Sequence, residues 1–288
     1  GDRIAFGKHV AALAGASDNG IPGHYKHTKL ANWLAANPLP SGGNDAIGVV
    51  TVAGVISDGE AGPGNAGGDT ISKLILDGLA KKNLKALVVR IDSPGGSALA
   101  SDQIRSALLE AKAKKIPVIV SMGSVAASGG YWIATAGDHV FAEPDTVTGS
   151  IGVSGVFPTL ENTLTKIGVT ADGIKTTPLS GQPDIYGGTN AEFDAVMQAS
   201  VEHTYGRFLA LVTASRKPPT TEDDRIGQGR VWDGGTARQL KLVDAFGSID
   251  AAIAEAARRA KIDPAKSRVV YLEKQPSMPA TLAPGFGQ

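Results

Sequence analysis

The chain has 288 residues, with 28 Lys+Arg balanced by 28 Asp+Glu and no Cys. At about 150 residues per domain this length gives one or two domains, enough to bury a core without disulfide or metal staples. The lack of Cys excludes a disulfide scaffold, a thiol nucleophile and Cys-ligated zinc or iron–sulfur centres, and the zero net charge argues against a nucleic-acid partner.

Residues 1–44 read as a peripheral segment with His9, His24 and His27, a Gly/Asn/Pro-rich patch and a helical pattern over Lys29–Ala36. Order is expected from Asp45. Ala46–Ile56, rich in Val and Ile, reads as a buried strand, and Asp58–Asp69 as a Gly-rich loop. Thr70–Ala80 has the apolar spacing of an amphipathic helix, and Ala86–Ile91 is a second strand. A helix over Ala100–Lys114 ends in basic residues, which suits its C-terminal dipole. Pro117–Ser121 is a third strand, Met122–Ala127 a loop, Ser128–Ala134 a helix and His139–Ala142 a fourth strand. Helices are expected at Val153–Ile167, at Ala191–Ser215 (long and amphipathic) and at Ile249–Ala260, with a disordered tail after Lys274.

Alternating strands and helices predict an α/β fold, a mainly parallel sheet with crossover helices. Its domain is placed at 45–262, with 1–44 as a peripheral linker and 263–288 as a flexible C-terminal extension. No apolar run is long enough to span a bilayer. Gly1 in place of Met reads as a processed or excised start, with an upstream anchor or domain missing.

The usual chemical constellations are absent. The His residues are scattered without metal spacing, no Walker A loop occurs, and no G-x-S-x-G surrounds a serine. Neither a metal nor a cofactor is expected. His139 and His203 lie in apolar stretches and read as structural. What remains is three Gly/Ser-rich loops after strands: Asp92–Ser97, Gly123–Gly130 and Thr148–Gly152. In a parallel sheet these gather at one edge, where ligands bind. Facing Gly loops can offer bare amides to an oxyanion. Ser128 at a helix start suits a nucleophile beside the Gly129 amide, or equally a plain N-cap. An enolate-stabilising thioester enzyme needs the same paired amides, so that class also stays open.

Ser-Pro-Gly-Gly at 93–96, Met-Gly-x-x-Ala-Ala-Ser-Gly-Gly-Tyr at 122–131 and Thr-Gly-Ser-Ile-Gly at 148–152 together resemble the signal peptide peptidase A family. Gly229-Arg-Val-Trp-Asp-Gly234 and Leu242-Val-Asp-Ala-Phe-Gly247 carry the likeness on, over about Asp45–Ala260. The resemblance implies a membrane-associated serine peptidase with a Ser–Lys dyad on a ClpP/crotonase-like fold, facing the periplasm or exterior. It implies Ser128 as nucleophile, Gly96 and Gly129 as backbone oxyanion donors, and Ser150 as the serine that hydrogen-bonds the catalytic lysine. It also implies apolar remnant signal peptides as substrates and a homo-oligomer. The lysine is where this sequence departs. Ser180 aligns where short members carry Lys, and Lys175, five residues away, faces the other side of an extended chain. The chain therefore resembles the C-terminal half of a long, tandem-duplicated member, its lysine coming from an upstream half or another subunit. The alternatives are a crotonase-like acyl-thioester enzyme and a non-catalytic structural half.

Overall fold

The computed structural model describes residues 2–37, 45–216, 223–263 and 267–274. They divide into two compact units, Gly1–Ser41 and Gly42–Gln288. In the first, α2 (Leu30–Ala36) lies where the sequence places a helix, but α1 (Arg3–Ala14) does not. Order therefore starts well before Asp45. Asp2 caps α1, its Oδ1 accepting from Ala5 N at 2.7 Å, and that cap was the available signal.

The second unit is built on β1 (Ala46–Ala53), β4 (Leu84–Ser93), β5 (Val118–Ala127), β6 (His139–Ala142), β9 (Ala245–Phe246) and β10 (Arg268–Tyr271), ordered β10-β1-β4-β5-β6-β9. All these neighbours pair in parallel. The α/β class with a mainly parallel sheet and crossover helices is as expected. Side chains along each strand alternate between two buried layers, which is why the strand sequences read as unbroken apolar runs. Val50, Val52, Val89, Ile91 and Val120 face the core with α3 (Gly68–Lys81) and α4 (Ala98–Ala113). Ile47, Val49, Ala86, Val88 and Ile119 face Ala252, Ala256 and Ala257 of α10 (Ile249–Ala260), whose small side chains let the helix lie close.

Four expectations are corrected. Met122–Ala127 is no loop: β5 continues through it, because β7 (Val147–Gly149) supplies a parallel partner for Val125–Ala127. The expected loop at 58–69 contains β3 (Asn65–Gly67), paired with β2 (Val55–Ser57). Of the helix expected at Val153–Ile167 only α6 (Glu161–Lys166) forms. The sheet also runs past residue 262, since Arg268–Tyr271 pairs with β1 inside the segment read as a flexible extension. The tail after Lys274 lies outside the described residues. The long α7 (Ala191–Arg216) is present, but it buries only Phe193, Phe208 and Val212, fewer than an amphipathic helix would. Two further pieces bear on the site: α8 (Asp223–Ile226), and β8 (Val231–Asp233), which runs antiparallel to its neighbour, β7.

Candidate active site

Strand β5 runs straight into Ser128, which turns the chain into α5 (Gly129–Ala134). Ser128 sits at φ +50° and ψ −118°, where an L-residue is strained. Two backbone bonds hold it there: Ser128 N donates to Gly149 O at 2.9 Å, and Trp132 N donates to Ser128 O at 2.9 Å. The Oγ does not cap α5. It has no hydrogen-bond partner among the described residues, so the N-cap reading loses its basis.

The loop after β4 packs onto this turn. Gly95 and Gly96 lie at φ +103° and +147°, open to glycine at little cost. Ile56 clamps the loop from both sides: Ile56 N donates to Gly95 O at 2.8 Å, and Ser97 N to Ile56 O at 2.9 Å. A Cβ on Gly96 would lie 2.1 Å from Ile56 O, and one on Gly129 only 3.3 Å from Gly96 N. The two glycines thus bring their backbones together beside Ser128. Among the described residues neither Gly96 N nor Gly129 N has an acceptor. Buried Ser101 braces the loop, its Oγ donating to Ser97 O at 2.7 Å, while Ser97 Oγ bonds Asp58.

Ser150 follows β7 at φ +48°. The 229–234 motif ties it down: Ser150 N donates to Arg230 O at 2.7 Å and Gly229 N to Ile151 O at 2.9 Å, extending the β7–β8 pairing. Ser128, Gly129, Gly96 and Ser150 then line one cavity of about 920 Å³. The sequence reading had brought these four together, but it missed the opposite wall, supplied by α7 through Val201, Glu202, Tyr205 and Phe208. Buried Trp132, one turn into α5, packs on Phe208 with ring centroids 4.9 Å apart. Tyr205 OH donates to Asp224 Oδ1 at 2.9 Å and accepts from Gln228 N at 2.8 Å. Burial pushes the Tyr205 phenol above its ordinary pKa, so it stays a protonated donor.

No lysine lines the cavity among the described residues. Lys175 lies in a separate hollow, its Nζ 3.8 Å from Asp184 Oδ2. Ser180 borders that same hollow, its Oγ 2.9 Å from Thr177 Oγ1. His139 stacks edge-on to Phe141 and faces Asp244, a structural setting as expected. His203 is exposed on α7, contrary to the apolar setting its neighbours suggest. No group of His and carboxylates able to hold a metal occurs among the described residues.

A strained serine at a strand-to-helix turn, beside two glycine amides without acceptors among the described residues, is an arrangement that acyl-transfer chemistry can use. The family follows from comparison. Residues 110–263 match Peptidase family S49, and the chain belongs to that family. It is 44% identical over 239 residues to Protease 4 of Salmonella typhi, covering 83% of this chain and 38% of that protein. It is 36% identical over 267 residues to the chloroplastic serine protease SPPA of Arabidopsis thaliana, covering 90% and 38%. A protease of Synechocystis is 35% identical over 208 residues, covering 72% and 75%. The chain thus spans about two-fifths of the length of the first two relatives. Among solved structures, a point mutant of ClpP1 from Listeria monocytogenes overlaps at a TM-score of 0.49 with 16% identity, covering 69% of this chain and 91% of that one. That overlap is too loose to add to the fold as described.

Proposed function

We propose that the chain carries the nucleophile side of a serine endopeptidase site, completed by a lysine from an upstream half of the same protein or from another subunit of a homo-oligomer. Ser128 attacks the peptide carbonyl while its hydroxyl proton passes to the lysine amine. The amides of Gly96 and Gly129 hold the oxyanion. The C–N bond then breaks, the leaving amine takes the proton from the lysine, and water releases the acyl group from Ser128 in the same way. Ser150 hydrogen-bonds the lysine and orients it. The substrates are apolar remnant signal peptides, met at the outer face of the inner or plasma membrane. No helix among the described residues is long and apolar enough to cross a membrane.

What carries this reading is Ser128 at positive φ, its Oγ and the flanking Gly96 and Gly129 amides without partners among the described residues, in a cavity that no described lysine lines. A serine hydroxyl is a poor nucleophile without a base, and a lysine serves only when desolvation lowers its pKa. The isolated chain should therefore hydrolyse peptides very slowly, and Lys175→Ala should leave that rate unchanged. Adding the upstream half should restore hydrolysis, with a rate that rises through a depressed lysine pKa. Ser128→Ala should then abolish both turnover and labelling by a fluorophosphonate. Fast hydrolysis by the isolated chain that Lys175→Ala destroys would refute the shared site, and normal cleavage by Ser128→Ala would refute the nucleophile.

A further inference from the structure

We infer that Glu202 forms a subsite for a basic side chain of the peptide, a reading that rests on the peptidase site proposed above. Helix α7 turns Val201, Glu202, Tyr205 and Phe208 toward the cavity, the three- and four-residue steps of one helix face. Among the described residues lining the cavity, Glu202 is the one charged side chain. Gln198 Nε2 donates to its Oε1 at 2.8 Å, and no cation of the described residues pairs with it. The carboxylate thus keeps acceptor positions open.

The neighbouring charges strengthen the case. Arg207, five residues along α7, is held on the Trp132 ring and by Asp102, 2.7 Å from the latter, and does not line the cavity. Arg230 is held by Arg225 O and Gln228 Oε1 and does not line the cavity. Asp224, behind Tyr205 and Gln228, adds negative charge on the same side. A lysine or arginine suits such a place: its methylene stem lies along apolar surface such as Val201 and Phe208, and its head reaches a carboxylate.

The other cation Glu202 could meet is the catalytic lysine, and the chemistry is against it. A carboxylate beside that amine would favour the charged ammonium and raise its pKa, opposite to what a general base needs.

Binding tests this without any chemistry. The 288-residue chain carrying Ser128→Ala is titrated with apolar peptide pairs that differ only in Lys against norleucine, scanned position by position. At one position the Lys peptide should bind about fivefold tighter, the upper end for an exposed ion pair. Glu202→Gln should bring that ratio near one, and Glu202→Lys should reverse it in favour of a Glu peptide. A preference seen at no position, or one that survives Glu202→Gln, would overturn the subsite. In the complete enzyme the Lys-to-norleucine ratio of kcat/KM should fall with Glu202→Gln while the pH profile keeps its place. A pH profile shifted equally for both peptides would overturn the subsite and make Glu202 the lysine's counter-ion. Hydrolysis that persists in Ser128→Ala sinks the nucleophile, whereas hydrolysis lost there with no Lys preference sinks the subsite alone.

Discussion

The space between the two glycine amides can be filled with a single methyl group. Gly129 lies in α5 without positive φ, so alanine suits its backbone and gains up to about 1 kcal/mol of helix propensity. Its Cβ would sit 3.3 Å from Gly96 N and 2.4 Å from Ser101 Oγ. The first contact puts a methyl group against the amide proposed to hold the oxyanion. Losing one such donor costs roughly 10²–10³ in kcat, about 2.7–4 kcal/mol of transition-state stabilisation. The second contact is an overlap with a buried hydroxyl already held by Ser97 O. Overpacking of that kind costs on the order of 1–3 kcal/mol, which the propensity gain offsets in part.

These two effects separate. Ser101→Ala removes the clashing oxygen at a cost of about 0.5–1.5 kcal/mol for its hydrogen bond. Gly129→Ala combined with Ser101→Ala should therefore unfold at a higher denaturant concentration than Gly129→Ala alone, yet remain about 10²-fold or more slower than the parent. Stability is read by urea titration of the chain and rate by kcat/KM of the complete enzyme. A double variant that cleaves within a few-fold of the parent would refute Gly96 N as an oxyanion donor.

Two further outcomes follow from the backbone at the site. Ser150→Ala should lower kcat/KM about 2- to 12-fold, the worth of one neutral hydrogen bond, and leave unfolding nearly unchanged because its backbone bond to Arg230 O remains; unchanged kinetics would remove Ser150 from the site. Ser128→Gly should be more stable to urea than Ser128→Ala by about 1–3 kcal/mol, since glycine tolerates φ +50° and no side-chain cap is lost in either. Equal midpoints would mean the turn is not strained.

The sheet was legible because both its faces are buried: strands such as Ala86–Ile91 appear as apolar runs with nothing polar to blur them. The second half of β5 was not, because Gly123 and Ser124 look like a loop until β7 and Asp92 are beside them. Asp92 Oδ1 accepts from Val125 N at 3.0 Å, a contact between residues 33 apart in sequence. Short β10 and the N-terminal α1 escaped for a similar reason. One is defined by its partner strand, and the other buries only Gly7, leaving no apolar stripe to read. The strand-end motifs exposed Ser128, Gly96, Gly129 and Ser150 because each sits where the sheet ends and glycine must bend the chain. The α7 wall was invisible, since a helix that turns Glu202 and Tyr205 toward a cavity looks the same in sequence as one that turns them to water.

The missing base has the same physical root. A general-base lysine needs two things at once, an amine within reach of Ser128 Oγ and a surrounding dry enough to lower its pKa. Among the described residues neither is found at the cavity. Gly96 is exposed and Ser128 only half-buried. Beyond Val153 and Ser154, which line the cavity, Val156 and Phe157 stand 86% and 48% exposed. A lysine placed here on the chain's own backbone would stay hydrated and protonated near neutral pH, and so would be useless as a base. Under the shared-site reading, whatever brings the amine to Ser150 must also exclude water from this rim, so the base and its low-dielectric setting arrive together. Placing the serine, by contrast, needs only backbone geometry, which a single chain can hold ready through the strained turn at Ser128.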